Sequence, residues 1–260
     1  IEEQDGIKHH LLDFVEPTKE FSVSEYRDLA LPIIENLIKE NKVPIIVGGT
    51  GFYVQSLLLD NNYGNSYKSE ELRLQLKNLA SEKGNMEVYN ILKDIDPESA
   101  KTIHPNDLKR VIRAIEIFKL SGHKKSELKR TMQTNMQNTI KPLIIVLNRN
   151  RDELYNRINL RVDLMIKAGL IDEVKNLVSK YNLTIDNQCM QGIGYKEILD
   201  YINNIVDMDT AIENIKINTR HYAKRQLTWF RNQVNALWIN LSETSKDDAV
   251  KYIIDKFYND

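Results

Sequence analysis

The sequence contains a single cysteine, Cys189, and no apolar run that approaches the length of a membrane-spanning helix. One thiol cannot form an internal disulfide, which fits a reducing compartment. A membrane span needs roughly 18 to 20 apolar residues, and residues 1–10 do not resemble a signal peptide. Because 42% of the 260 residues are hydrophobic, we expect a soluble, cytoplasmic, globular protein of one or two domains.

Net charge is also small, at -1, but the charge is unevenly distributed along the chain. Residues 101–130 contain nine Lys or Arg and three Asp or Glu, and residues 216–240 contain five Lys or Arg and no acid. Segregated positive charge can bind a polyanion such as nucleic acid although the total is neutral. The alternative is that both segments are ordinary basic helices with solvated faces.

The apolar pattern predicts an α/β fold. Ser22 and Glu25 form the sequence pattern of a capping box, and apolar residues at helical spacing follow them. Continuous apolar runs at residues 43–47, 143–148 and 236–240 predict buried strands of a parallel sheet, each followed by a helical pattern.

The middle of the chain differs, because residues 55–139 contain helix-like segments and no convincing strand. Asn106 or Asp107 is a suitable N-cap for one of these helices, and Gly122 is a suitable C-terminal stop. We therefore predict an inserted all-helical domain and, on either side of it, an α/β core formed by residues 1–54 and 140–260.

A glycine turn, Gly48-Gly49, joins the first predicted strand to Thr50 and a predicted helix. In open parallel sheets, ligands bind beyond the carboxyl ends of the strands. Glycines allow close approach to the backbone, and free amides at a helix start favour an anion. The alternative is a tight turn in which Thr50 caps the helix.

Five segments taken together, in order along essentially the whole chain, resemble the tRNA dimethylallyltransferases, also called tRNA isopentenyltransferases. They are GIKHHLLDFVEPTKEFSVSEYRDLA (6–30), VPIIVGGTGFYVQSLL (43–58), IHPNDLKRVIRAIEIFKLSG (103–122), QGIGYKEI (191–198) and TRHYAKRQLTWFR (219–231). The resemblance implies an ATP-binding, P-loop nucleotide-kinase-like three-layer core with a parallel sheet and an inserted helical subdomain that binds tRNA.

The resemblance also implies a reaction, the transfer of a dimethylallyl group from dimethylallyl diphosphate to N6 of adenine 37 in the tRNA anticodon loop. The adenine must leave the loop stack, and positive groups must stabilise charge on the departing diphosphate. The resemblance implies that Thr50 contacts the tRNA substrate, that Arg161 faces the diphosphate and that Mg²⁺ is the cofactor. We also expect a monomer with no membrane partner.

Arg157 and Arg161 lie four residues apart, so both are expected on one side of a helix. Two guanidinium groups on that side could both bind one diphosphate, each through bidentate hydrogen bonds. The alternative is a solvated helix face whose charge is neutralised by the neighbouring acids Asp152, Glu153 and Asp163.

Further tRNA contacts are predicted in three segments. In KRVIR (109–113), two cations lie four residues apart and the apolar residues between them face inward. In the loop 191–196, glycines allow close approach, the tyrosine is expected to stack on a base and the lysine to meet phosphate. Residues 224–231 mix cations with aromatic rings, a combination typical of proteins that bind unstacked RNA. The resemblance adds one position in the helical insertion. These residues are Arg73; Lys109, Arg110, Val111, Ile112 and Arg113; Gln191, Gly192, Ile193, Gly194, Tyr195 and Lys196; and Lys224, Arg225, Gln226, Leu227, Thr228, Trp229, Phe230 and Arg231. The alternative for the apolar members is a place in the core.

Two features of the family are absent from the sequence. The glycine-rich P-loop and the aspartate base that follows it do not occur, so we expect a sequence that begins inside the usual chain. A zinc-finger extension cannot form with one cysteine, which indicates the bacterial type. The alternatives are a small-molecule kinase of the same fold class and an RNA-binding module without catalysis.

Overall fold

The computed structural model of the chain describes residues 4–58, 68–127 and 142–259. These residues form two compact units, one made of Ile1–Phe52 with Lys141–Asp260 and the other of Tyr53–Ile140. The predicted domain boundary at residues 139 and 140 lies outside the described residues. Within the described part, no helix has both the length and the apolar character needed to cross a bilayer.

Most of the described secondary structure is α-helical, with two short strands. The elements are α1 (Val23–Lys39), α2 (Gly51–Leu58), α3 (Glu70–Lys83), α4 (Asn85–Ile95), α5 (Pro97–Thr102), α6 (Leu108–Ser121), β1 (Ile145–Asn148), α7 (Arg151–Lys167), α8 (Leu170–Tyr181), a 3₁₀ turn (Gln188–Gln191), α9 (Tyr195–Ile202), α10 (Met208–Gln233), β2 (Leu237–Asn240) and α11 (Lys246–Asn259).

The first helix begins at the capping box that the sequence predicts. The Ser22 hydroxyl accepts a hydrogen bond from the Glu25 N–H, and the Glu25 carboxylate accepts one from the Ser22 N–H at 2.7 Å. These reciprocal bonds satisfy two backbone donors that the first turn of a helix leaves unpaired. The start of α1 is therefore set by local sequence.

The sheet consists of β1 and β2, which pair in parallel from Ile145 beside Leu237 to Asn148 beside Asn240. Both strands were predicted, and parallel pairing places this unit in the α/β class. The third predicted strand, residues 43–47, is wrong. Its residues have no regular secondary structure, and the side chain of Val47 is 89% exposed. A strand needs a neighbour for its backbone hydrogen bonds, and among the described residues none pairs with this run.

The first unit has its main core between α7, α8, α9 and α10. Val174, Met190 and Ile198 are completely buried there, and Ile215 of α10 is nearly so. The sharp turn before α9 uses Gly194, whose φ of 100° is in a region that other residues rarely adopt. This packing positions one side of α7 and α10 beside the 191–194 loop.

The second unit packs α3, α4, α5 and α6 around a separate apolar core. Val88, Leu92, Val111 and Ile115 are completely buried in it. Asp107 caps α6 by accepting a hydrogen bond from the Arg110 N–H, and the helix ends at Gly122 in a left-handed conformation with φ 73°. Both ends of α6 agree with the sequence prediction.

Candidate active site and RNA contacts

The glycine turn before α2 is packed directly against α10. The Gln226 side-chain amide donates a hydrogen bond to the Gly49 carbonyl oxygen at 2.9 Å. A Cβ added at Gly51 would clash with the Trp229 ring, whereas one added at Gly48 would meet open space. Because Gly49 and Gly51 have no Cβ, the side chains of Gln226 and Trp229 can pack directly on the backbone of this turn.

Thr50 lies between these two contacts and is exposed, immediately before the first residue of α2. Gln226 fixes the residue before it and Trp229 contacts the residue after it. A hydroxyl held between two anchored neighbours can donate to and accept from a planar base edge. The predicted tRNA residues Gln226 and Trp229 thus support the turn that carries Thr50.

A cavity of about 610 Å³ in the first unit contains Arg161. It brings together α7, α10 and the 191–193 loop, which are far apart in sequence. The lining combines two guanidinium groups with apolar side chains and a few polar groups. Its residues are Ile158, Arg161, Val162, Met165, Gln191, Gly192, Ile193, Ile215, Thr219, Tyr222 and Arg225. Such a lining suits a ligand with an anionic head and a short hydrocarbon tail.

Arg157 does not line this cavity. Its Nε donates to Glu153 at 2.8 Å, and Glu153 also accepts from Arg149 and from the Ser242 hydroxyl. The pKa of Glu153 is lowered, first by the Ser242 hydrogen bond and then by the one from Arg157. The structure therefore separates the predicted arginine pair and gives Arg157 the neutralised environment that was the alternative interpretation.

The 191–196 loop contributes Gln191, Gly192 and Ile193 to the cavity wall. Gly194 is buried, and its N–H donates to the buried Glu197 carboxylate at 2.7 Å. Lys196 is exposed. The part of the predicted loop that a ligand can reach is therefore residues 191–193 together with Lys196.

Tyr195 was predicted to stack on RNA, but its ring packs against the core of the first unit. Its hydroxyl donates a short hydrogen bond to Glu173. Burial raises the pKa of Tyr195, and the hydrogen bond to the Glu173 carboxylate raises it further. The ring is half-buried, with one part packed on the core and its hydroxyl bonded to Glu173, and stacking of Tyr195 on RNA stays a prediction.

The last predicted RNA segment, residues 224–231, is part of α10. Lys224, Arg225, Thr228 and Arg231 are exposed, and a second cavity of about 560 Å³ lies along this stretch. Leu227 and Phe230 are half-buried, and the Phe230 ring packs edge-to-face on Trp229 at 5.0 Å. The exposed cations and the half-buried aromatic residues thus occupy different positions on one helix.

In the second unit, the KRVIR segment forms the first turns of α6. Lys109 and Arg110 are exposed, whereas Val111 is completely buried and Ile112 is 5% exposed. The side chains of Val111 and Ile112 face inward, as the helical spacing predicted, and belong to the core. Their inclusion in the predicted set of tRNA contacts is therefore corrected. Lys125 lies close to two arginines of this segment. Burial lowers the pKa of Lys125, and the positive charges of Arg110 and then Arg113 lower it further.

Arg73 and Arg113 meet at one buried carboxylate, Glu116. Arg73 donates to it from Nε at 2.8 Å and from Nη2 at 3.1 Å, and Arg113 donates from Nη1 at 2.6 Å. Burial raises the pKa of Glu116, but the hydrogen bonds from Arg73, the Ser69 N–H and Arg113 outweigh it and lower the pKa. Arg73 and Arg113 are therefore partly neutralised within the unit.

Asp96 is a second buried carboxylate in this unit, with 1% of its surface exposed. It accepts from the Ser99 N–H and from both the N–H and the hydroxyl of Ser126. Burial raises the pKa of Asp96, but these hydrogen bonds outweigh it and lower the pKa to about 2. Neither Asp96 nor Glu116 was singled out from the sequence. The available signal for Glu116 was an acid within an apolar helical stripe, and for Asp96 it was an N-cap residue directly before Pro97, the first residue of α5.

Within residues 4–58, 68–127 and 142–259, no group of three or more His, Cys, Asp or Glu side chains is arranged to hold a metal ion. A cage of protein carboxylates for the predicted Mg²⁺ is therefore not formed by these residues.

The chain is similar to enzymes that act on tRNA. A family model described as IPP transferase matches residues 1–233. The tRNA dimethylallyltransferase of Alkaliphilus oremlandii is 47% identical over 243 residues, which cover 93% of this chain and 76% of that protein.

Two solved structures have a similar fold. The tRNA isopentenylpyrophosphate transferase of Bacillus halodurans is 39% identical, with a TM-score of 0.69, and the match covers 98% of this chain and 79% of the other. A eukaryotic dimethylallyltransferase acting on tRNA is 29% identical, with a TM-score of 0.81, covering 100% and 68%. These matches confirm the α/β class and the family resemblance. The chain belongs to the IPP transferase family.

Proposed function

We propose that the protein transfers a dimethylallyl group from dimethylallyl diphosphate to N6 of adenine 37 in the anticodon loop of tRNA. The observation that carries this proposal is family membership over most of the chain, to which the cavity containing Arg161 adds a fitting chemistry. In this reaction the bond between the allylic carbon and the diphosphate breaks and a carbon–nitrogen bond to adenine forms. N6 then loses a proton, which the departing diphosphate can take up, so that the products are N6-dimethylallyladenine and hydrogen diphosphate.

The cavity supplies groups for both parts of the donor. Arg161 is proposed to face the diphosphate, because a guanidinium can stabilise charge developing on the leaving oxygens. Apolar neighbours such as Ile158, Met165 and Ile215 offer contacts to a hydrocarbon tail and exclude water from the reacting carbon. The acceptor adenine is proposed to reach the site unstacked, with Thr50 contacting its polar edge.

The RNA footprint is proposed to use exposed cations on both units. In the first unit these are Lys196, Lys224, Arg225 and Arg231, and in the second they are Lys109 and Arg110. Phosphate contacts of this kind supply affinity that does not depend on base sequence. We further propose that the protein acts as a cytoplasmic monomer and uses Mg²⁺.

The test is a transfer assay with the full-length protein, labelled dimethylallyl diphosphate and an unmodified tRNA that carries adenine 37. We expect label in the tRNA and N6-dimethylallyladenosine after digestion to nucleosides. The matched control is the same tRNA with guanine 37, which offers no N6 amino group and should remain unlabelled.

Two outcomes would overturn the proposal. Phosphate transfer from ATP to a small molecule, with no tRNA affinity, would indicate a kinase of the same fold class. Binding of tRNA that never leads to transfer would indicate a binding module, and in that case substitution of Thr50 or Arg161 would change nothing.

A further inference from the structure

A buried carboxylate, Glu197, controls the end of the cavity-lining loop. It lies in the first turn of α9 with 5% of its surface exposed. Its Oε2 accepts a hydrogen bond from the Gly194 N–H at 2.7 Å. Gly194 has a φ of 100° and follows directly on the wall residues Gln191, Gly192 and Ile193. The carboxylate therefore fixes the backbone at the point where the wall turns into α9.

The other oxygen of the same carboxylate bonds to α10, the helix that forms another wall of the cavity. Oε1 of Glu197 accepts from the Asn218 side-chain amide of α10 at 2.7 Å. Residues on either side of Asn218 along α10, namely Ile215, Thr219 and Tyr222, line the cavity. One buried group thus joins the two walls through two hydrogen bonds.

The two bonds have a geometric consequence. Gly194 and Asn218 are held by two oxygens of a single planar group, so the loop cannot shift along α10 without breaking at least one bond. A buried amide or carboxylate left without its partner costs free energy, which keeps the loop in a single position. Arg161 faces the same cavity from α7.

We infer that Glu197 and Asn218 are a positioning pair for transfer, because they hold the Gln191–Ile193 wall at a fixed place against α10. The inference rests on the proposed function of the same cavity. Neither residue is expected to contact the reacting atoms. Their effect is to keep the donor and the adenine in one reactive alignment, and a misplacement of about 1 Å can cost roughly a hundredfold in rate.

The test exchanges the hydrogen-bond donor and acceptor of the pair. Asn218→Asp alone places a second carboxylate against Glu197, and two carboxylates at that separation cannot both stay ionised without repulsion. Glu197→Gln alone is tolerated, because the Asn218 amide can rotate and accept from the new amide. Combining the two substitutions keeps both hydrogen bonds, since the new amide donates to the new carboxylate and its oxygen still accepts from Gly194.

The measurements are kcat and KM for dimethylallyl diphosphate, the Kd for tRNA, and the fraction of folded protein, all well below the melting temperature. For Asn218→Asp we expect kcat per folded molecule to fall about tenfold to a hundredfold, with tRNA Kd within about threefold, because most RNA affinity comes from dispersed phosphate contacts. Glu197→Gln and the double variant should stay within about threefold of the unmodified protein. Asn214→Asp, one turn earlier on α10, is the matched control for added charge.

The outcomes separate this inference from the proposed function. An unmodified protein that transfers nothing would overturn the proposed function. An active protein whose kcat per folded molecule is unchanged by Asn218→Asp would overturn the inference alone. The same holds if the double variant stays as slow as Asn218→Asp, because then the hydrogen-bonded pair is not what aligns the site.

Discussion

The Nε of Arg73 lies 2.8 Å from Oε1 of Glu116, and the Glu116 side chain is completely buried. The two residues are 43 positions apart, on α3 and α6. The same carboxylate accepts from the Ser69 N–H and from Arg113. This one carboxylate therefore joins the start of α3 to α6, and it also orients two arginines that the sequence assigned to tRNA.

Removing the Glu116 carboxylate should destabilise the protein strongly. Glu116→Ala leaves Arg73, Arg113 and the Ser69 N–H without their shared acceptor. We expect a loss of roughly 3 kcal/mol in the free energy of unfolding, at the low end for breaking a buried pair because both arginines are partly exposed. Denaturant unfolding measures it. Glu98→Ala is the control, since Glu98 pairs with Lys101 at the surface, and should cost less than about 1 kcal/mol.

Asp96 should make stability depend on pH in the acid range. Its pKa falls from 3.8 to about 2 on folding, so its contribution is fully present above the unfolded pKa and is lost as pH falls through about 2. The shift corresponds to on the order of 2 kcal/mol. Unfolding measured at pH 7 and pH 2 should differ less for Asp96→Asn than for the unmodified protein. An equal difference in the two proteins would contradict the assignment.

Alanine at the three turn glycines should give a graded series. Gly48→Ala meets open space and should be nearly neutral. Gly49→Ala displaces the flexible Gln226 side chain and should cost about 1 kcal/mol, the value of a lost hydrogen bond. Gly51→Ala strikes the rigid Trp229 ring and should cost about 1–3 kcal/mol, as overpacking does. Thermal unfolding gives the order, and three equal values would refute the packing argument.

Arg161 and Arg157 should differ in transfer kinetics. Arg161→Ala should lower kcat/KM for dimethylallyl diphosphate by roughly tenfold to a hundredfold, matching the loss of about 1.5–3 kcal/mol for hydrogen bonds to a charged group. Arg161→Lys should recover only part, since an ammonium cannot form the bidentate contact. Arg157→Ala should have a small effect because Arg157 is bound to Glu153. Equal losses for the two arginines would support the original prediction that both guanidinium groups bind the diphosphate.

Charge reversal on α10 should weaken tRNA binding. Lys224→Glu with Arg225→Glu removes two exposed cations from the proposed footprint. Each phosphate contact contributes about 0.7 to 0.9 to the slope of log affinity against log salt, so affinity and slope should both fall. Titrations at several salt concentrations measure both. The matched control reverses the exposed Lys246 and Lys251 of α11, and the segment leaves the footprint if both double variants behave alike.

The sequence by itself determined the features that depend on neighbouring residues. The capping box at Ser22 and Glu25, the cap of α6 at Asp107 and its stop at Gly122 were predicted because caps use side chains and backbone within one turn. The apolar runs of β1 and β2 were also recognisable, and the family resemblance followed from segments read in order.

Only the tertiary structure decided which residues far apart in sequence contact each other. Residues 43–47 have strand composition, yet a strand forms only beside a partner. The glycines beside Thr50 signalled a close approach, but the fold decided that Gln226, 177 positions away from Gly49, makes it. Glu197 is an ordinary helix residue in sequence, and it joins two walls of a cavity because folding buries it between Gly194 and Asn218. Burial and long-range partners arise from packing, which local sequence does not specify.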